Sequence, residues 1–422
     1  MPFKRVRDLR LPATTTRLRD FPFCTVHPLR PAVRFSVATT CRDGDFPMSA
    51  PAMPSRLFTP ESRPLDAPDP ERERLHEAGS LVRLEAPAGG PVWVVTDGDL
   101  ARDLLTDPRL VKDPAAAPSG WDRRTAGLEP TAAEQMSLTT LDGPDHDALR
   151  KTFAPLFSAR AMRDAYGRMT GIARRLLADV AGAEFDLMTD FTTRYPVTVL
   201  CDLLGVPAEH VDEGIAACRL MHVDYPAHVG PAMASFAKLA HAALDAGGGI
   251  AETLAGRMPA GSTAADLEYQ VFTLLFAGQL TTDPAIGFLI ARLLHEPGSR
   301  EPADVVRRTL VDHPPAPFSL WRFTAVDLEI AGTAIPARTP VLIDIEGINE
   351  RLGADGQDLS FGFGPHYCIG AQLAQLELQA LAETIMNDYP RARLATAYEN
   401  LRLARPGGIM GARIVSLPVS LT

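Results

Sequence analysis

The stretch Phe361-Gly362-Phe363-Gly364-Pro365-His366-Tyr367-Cys368-Ile369-Gly370-Ala371 constrains this chain more than any other. Gly362 and Gly364 punctuate a tight turn and let the backbone approach a partner closely. After Cys368, apolar residues at Ile369, Leu373, Leu376 and Leu381 are interleaved with Ala and Gln, the pattern of a largely buried helix. The loop therefore delivers one thiol to a helix N-terminus. Unpaired N–H groups and the positive end of the helix dipole are expected to lower its pKa there. A thiolate so placed is a good axial ligand for haem iron, because it pushes electron density onto the metal for O–O cleavage. Two plainer readings stand beside this one. A lone cysteine is most often a buried structural residue. His366 and Cys368 could begin a zinc site, but no second Cys/His pair stands at ligand spacing.

The pattern Phe361-Gly362-x-Gly364-x-His366-x-Cys368-x-Gly370 resembles the haem-ligand loop of the cytochrome P450 family, with every fixed position filled. The resemblance covers roughly residues 54–422. It implies a mostly α fold with small β sheets (α+β), built as one large haem domain over residues 53–422. It also implies haem b as cofactor, with iron ligated axially by Cys368 and the cofactor touched by Phe361, Gly362, His366 and Gly370.

Further stretches carry the resemblance. Asp142-Gly143-Pro144 reads as a turn opening a helix with His146 and Arg150 four apart on one face. Alone, such a pair more often marks a solvated helix face. The family has His-x-x-x-Arg at this place, so the resemblance implies that both residues hold a haem propionate. Arg322 matches the position that reaches a second propionate, with His366 as a further contact. Residues 267–295 read as a long apolar helix of the kind that crosses a protein's centre. Within it, Ala277-Gly278-Gln279-Leu280-Thr281-Thr282 leaves room above a flat cofactor for dioxygen, and Thr281 offers a hydroxyl for proton delivery. The same small residues could simply ease helix packing. The resemblance implies that Gly278, Gln279, Thr281 and Thr282 form the catalytic group, with Ala277 against the cofactor. Pro284 removes a backbone N–H and predicts a kink near Leu280.

With 46% hydrophobic residues in 422, the chain can bury a large core. A net charge of −10 argues against nucleic acid as the main partner. No apolar run reads as a bilayer span, so no membrane partner is expected. Five scattered cysteines suit a reducing cytoplasm. Residues 1–47 are rich in Arg, Thr and Pro and poor in acids, without a sustained period. A disordered tail, a targeting peptide and a start assigned too far upstream compete here. Prolines spoil a transit helix, and Met48 and Met53 precede the first regular segment. Residues 1–52 are read as a disordered or misassigned extension.

Residues 82–85 and 92–95 predict a hairpin, and Asp97 a helix start. The region of Trp121 reads as a loop, which in the resembled fold hangs over the distal haem face. Residues 185–247 read as helices with breaks at Gly205-Val206-Pro207 and near Tyr225-Pro226, the substrate lid of that fold. Residues 326–330 and 340–345 predict another hairpin. So do 401–403 and 414–419, with Gly407 to Gly411 at a tip aimed into the active site.

The chain also departs from the family. An acid usually stands where Leu280 is. The Glu-x-x-Arg pair that locks the haem-side scaffold is replaced by Arg308 and Val311, aligning on Pro314-Pro315, and the path from Asn349 to Phe361 is shortened. The resemblance implies a monooxygenase that oxidises a small-molecule substrate in specialised-metabolite biosynthesis. A separate ferredoxin and ferredoxin reductase would supply electrons, since no flavin or nicotinamide domain is fused. The departures keep a second reading open: a catalytically silent helper that binds and stabilises a glycosyltransferase or other biosynthetic enzyme. Such helpers typically lose the cysteine, which this chain keeps.

Overall fold

The long apolar pattern becomes a 32-residue helix, Ala264–His295. Thr263 and Asp266 form a capping box: the Thr263 hydroxyl accepts from the Asp266 amide at 3.1 Å, and the Asp266 carboxylate accepts from the Thr263 amide at 2.7 Å. The helix continues across Pro284. By length and composition it could cross a membrane, contrary to the sequence expectation, with a mean hydropathy of 1.4 in its most apolar window. However, 67% of that window is buried inside the fold. It is apolar because it is a core helix.

The computed structural model describes residues 52–422 apart from 123–125, 127–136, 182–183, 224–228, 297–300 and 353–355. The described residues belong to one compact unit, Ala50–Thr422. Around the central helix pack Arg194–Leu204, Val229–Ala246, Pro302–Asp312 and the cysteine helix Ala371–Asp388, which also lies along Ala159–Val180. The main core includes Phe153, Leu200, Phe236, Phe272 and Leu381.

One five-stranded sheet has the order Leu81–Glu85, Pro91–Val95, Pro340–Ile343, Arg322–Thr324, Leu110–Val111. The first two strands are the expected hairpin, and Asp97 caps the following helix, Gly98–Thr106. The hairpin expected from 326–330 and 340–345 does not form. Leu328–Ile330 folds back on Thr333–Ile335 across Ala331 and Gly332, both at positive φ. Pro340–Ile343 instead runs parallel to Pro91–Val95, and Ile345 already begins the helix Ile345–Glu350. At the C-terminus, Arg402–Arg405 pairs with Arg413–Ile414 as expected. The chain then changes sheets: Pro418–Ser420 joins Arg393–Leu394 and Phe185–Asp186. Phe185 therefore starts in a strand rather than a helix. Long-range pairing decided these points, and local periodicity does not report it.

No local pattern announces the buried charge cluster that ties the N-terminal helix Pro70–Glu77 to Ile345–Glu350. Arg72, whose side chain is 1% exposed, contacts Asp344 and pairs with Glu346 at 2.7 Å. Arg405 bridges Asp69 at 3.1 Å and Glu346 at 3.3 Å. On Pro302–Asp312, Arg308 is exposed and Val311 half-buried. Removing one partner of a buried ion network leaves uncompensated charge and costs about 3–5 kcal/mol. Arg72→Met is expected to lose stability on that scale in chemical denaturation. A change below about 1 kcal/mol, the value of a surface pair, would show the cluster is effectively solvated.

The sequence reading of residues 1–51 lies outside the described residues. Met53 donates its amide to the Arg83 carbonyl at 2.8 Å and so already belongs to the sheet edge. A chain begun at Met48 is expected to keep the full-length melting temperature. A marked drop would show that the earlier residues pack on this unit.

Candidate active site

Backbone geometry places the cysteine. Gly362 and Gly364 hold φ of +73° and +71°, conformations that suit glycine. A Cβ on Gly364 would lie 2.8 Å from Thr106 Cγ2 and 3.1 Å from the Leu105 carbonyl oxygen, so the loop docks against the end of Gly98–Thr106. The Cys368 amide donates to the Phe361 carbonyl at 2.9 Å and the Tyr367 amide to the Gly364 carbonyl at 3.0 Å, closing the turn. The Gly370 and Ala371 amides donate to the Cys368 sulfur. The thiol is nevertheless pushed up from its ordinary value, because burial outweighs these N–H groups and the Arg150 charge. This corrects the sequence expectation of a lowered pKa. Cys368 has an accessible surface, yet it lies deep in the fold, because it opens into a cavity rather than onto the exterior.

That cavity has a volume of about 870 Å³. Phe361, Gly362, His366, Cys368 and Gly370 line it, and so do Ala277, Gly278, Leu280, Thr281 and Thr282 of the central helix. Gln279 does not; it is fully buried. The Thr281 hydroxyl donates to the Ala277 carbonyl at 3.0 Å. A Cβ on Gly278 would sit 2.9 Å from a Leu200 methyl, so this glycine also sets the packing of the central helix on Arg194–Leu204. Phe153, Phe272 and Phe276 supply apolar wall, and Ile409, Met410 and Gly411 reach in from the glycine-rich tip. Of the lid expected over residues 185–247, Leu200, Leu203 and Leu204 line the cavity, with Ile250 just beyond it, while among the described residues Val211–Val223 and Val229–Ala246 contribute no wall. Trp121 is not at the cavity either. It packs edge-on against Trp321 and Phe323, with ring centroids 5.8 and 5.2 Å away. Part of the loop after it, and the break near Tyr225-Pro226, lie outside the described residues.

The expected cationic residues converge, in an unexpected arrangement. Arg150 lines the cavity and donates from Nη2 to the Tyr367 carbonyl at 2.7 Å, tying Gly143–Phe153 to the cysteine loop. His366 contacts Asp142 through Nε2 at 3.2 Å. Burial pulls its pKa down to about 4 against that hydrogen bond. His146 is buried behind it, with ring centroids 4.1 Å apart, and does not line the cavity. Arg322 is buried, and its pKa is drawn down to about 10 by burial. Three participants were missed in the sequence. Asp142 had served only as a turn residue, yet it accepts from the Lys112 amide at 2.7 Å as well as contacting His366. Burial would raise its pKa, but His366 and Lys112 hold it below the ordinary value. Lys112 itself is buried and lines the cavity, its pKa drawn down to about 7 by burial and then by Arg322. Arg413, also missed, lines the cavity while pairing through Nε with buried Asp283 at 2.9 Å.

Three buried nitrogens in this cluster, His146 Nε2, Arg322 Nε and His366 Nδ1, find no hydrogen-bond partner among the described residues. Unpaired buried polar atoms are costly. A thiol, a patch of small helix residues and a cationic cluster with unspent donors suit a flat macrocycle carrying two carboxylates.

No protein-family profile matches the chain. It is 36% identical over 402 residues to the cytochrome P-450 monooxygenase DoxA of Streptomyces sp. (strain C5), covering 83% of this chain and 93% of that protein. It is 27% identical to the 20-oxo-5-O-mycaminosyltylactone 23-monooxygenase of Streptomyces fradiae, over 84% of this chain and 90% of the other. Among solved structures it resembles the tirandamycin C-bound P450 monooxygenase TamI, with a TM-score of 0.69 and 27% identity, over 83% of this chain and 96% of that one.

Proposed function

This chain belongs to the cytochrome P450 family, and from that premise we propose that it oxidises a small organic molecule in specialised-metabolite biosynthesis, in the cytoplasm, with a ferredoxin and its reductase supplying electrons. It is a monooxygenase, an oxidoreductase that uses dioxygen, and its cofactor is haem held through a cysteine thiolate. The haem supplies the oxygen-activating chemistry; the chain's own residues hold it, exclude water and move protons. Cys368 would hold the haem iron in this reading. The observation that carries it is that Cys368 opens into the same cavity as Ala277, Gly278 and Thr281, with the Gly370 and Ala371 amides turned onto its sulfur.

Phe361, Gly362, Gly370 and Ala277 bound the cofactor, while Arg150, Arg322 and His366 hold its carboxylates, with His146 supporting His366 from behind. Thr281 handles the proton, and Gly278 and Thr282 shape the space around it. Gln279 acts on helix packing rather than on substrate. Phenylalanines and leucines fit a substrate with a largely apolar body, and the two relatives named for natural products, a tylactone derivative and tirandamycin C, support that class.

The test is an absorption spectrum of the reduced protein with carbon monoxide, which is expected to be of the thiolate type. Purification without haem, even when haem is supplied, would remove the basis of this reading. One observation favours the silent-helper alternative: Arg308 is exposed and Val311 half-buried where the family has its ion pair. Co-purification with a glycosyltransferase and stimulation of that enzyme by a haem-free form would decide for it.

A further inference from the structure

We propose that Lys112 is a haem-propionate anchor, a fourth polar contact beside Arg150, Arg322 and His366. It rests on the haem reading of the cavity above. The strand register puts it there. Leu110–Val111 pairs antiparallel with Arg322–Thr324, with Leu110 opposite Thr324 and Val111 opposite Phe323. The next step of that register brings Lys112 opposite Arg322. Like charges directly opposed across an antiparallel pair are destabilising, and burial aggravates the repulsion. Yet both residues are buried, at 8% and 4% exposure, and both line the cavity that Cys368 opens into.

The protein offsets this repulsion only in part. Asp142 is the carboxylate beside them, but it is already engaged by the Lys112 and Asp113 amides at 2.7 and 3.3 Å and by His366 at 3.2 Å. Those amide contacts clamp the backbone that carries Lys112, so its side chain is held at the cavity rather than free to swing into water. No acceptor for its ammonium group is found among the described residues. Besides Arg150 and Arg322, the basic side chain set at this cluster is Lys112, an amine that a neighbouring carboxylate would hold protonated. A pair of carboxylates needs that charge, and a neutral ligand would leave it unexplained.

The experiment compares holo wild type with Lys112→Met, Lys112→Gln and Lys112→Arg, following haem transfer to excess apomyoglobin by absorbance. Loss of one charge-assisted contact is expected to speed haem release by roughly tenfold or more in the Met and Gln variants, while Lys112→Arg stays near wild type. The same proteins are then loaded with haem dimethyl ester, whose propionates carry no charge. Wild type, Met and Gln variants should now release it at the same rate. Unchanged release of natural haem from both neutral variants would overturn the proposal. So would equal acceleration with the ester, which would mark Lys112 as a scaffold residue. A wild type that takes up no haem would instead overturn the P450 reading itself, a result the variants cannot imitate.

Discussion

Cys368→Ser is expected to abolish the thiolate-type carbon monoxide spectrum and all product formation while leaving the fold intact. The two halves of that expectation have separate causes. Serine is slightly smaller than cysteine, and the turn that presents residue 368 is held by backbone contacts, from the residue 368 amide to Phe361 and from Tyr367 to Gly364. Neither contact involves the side chain, so the melting temperature of the apoprotein should hardly move. The chemistry, by contrast, needs an anion. Burial pushes the Cys368 thiol up, but a coordinated metal deprotonates a thiol outright, and the Gly370 and Ala371 amides then stabilise the sulfur anion. A serine hydroxyl is a far weaker acid in the same buried place and offers a hard oxygen instead of a soft sulfur. A thiolate-type spectrum surviving in Cys368→Ser would mean that another cysteine reaches the iron. Among the described cysteines, Cys201 and Cys218 are buried in the helical core with thiols pushed up by burial, Cys201 to about 12. Neither lines the cavity.

The cysteine loop, the central helix and the first hairpin were legible in the sequence because each is specified by neighbours in the chain. A glycine at positive φ, a capping box and a run of alternating valines carry their own instructions. The charge cluster was not legible for the opposite reason. Asp69, Arg72, Asp344, Glu346 and Arg405 come from three distant segments, and none breaks a local pattern strongly enough to announce burial. Lys112 was missed likewise, since only its strand's pairing with Arg322–Thr324 turns an ordinary Lys-Asp turn into a buried cation. The misread hairpin at 326–345 has a third cause. Gly332 marked the turn correctly, but the strand after it is only Thr333–Ile335, and the stronger apolar run at Pro340–Ile343 belongs to another sheet. The thiol's pKa direction failed because helix-end electrostatics can be read from sequence and burial depth cannot.

Thr281→Ala is expected to cut product formation and divert reducing equivalents to hydrogen peroxide, with the carbon monoxide spectrum unchanged. General acid assistance is worth about 10²–10⁴-fold in rate, so losing a true donor should be unmistakable in turnover. Leu280, at the position where the family carries an acid, lines the cavity but has no proton to give. Gln279 is buried away from the cavity, which leaves Thr281, Thr282, water or the substrate itself. The Thr281 hydroxyl donates to the Ala277 carbonyl at 3.0 Å, so its lone pairs can accept from the cavity, and it must turn from that carbonyl to deliver its own proton. Thr281→Ser keeps that hydroxyl and should restore most of the coupling, which a purely structural role for the threonine methyl would not. Leu280→Asp asks whether an acid is simply missing. No gain is expected, because a carboxylate beside an apolar wall pays desolvation and, with its pKa raised, adds a donor the site is not arranged to use. Unchanged coupling in Thr281→Ala would take this residue out of the mechanism and leave Thr282, water or a polar group on the substrate as the source of the proton.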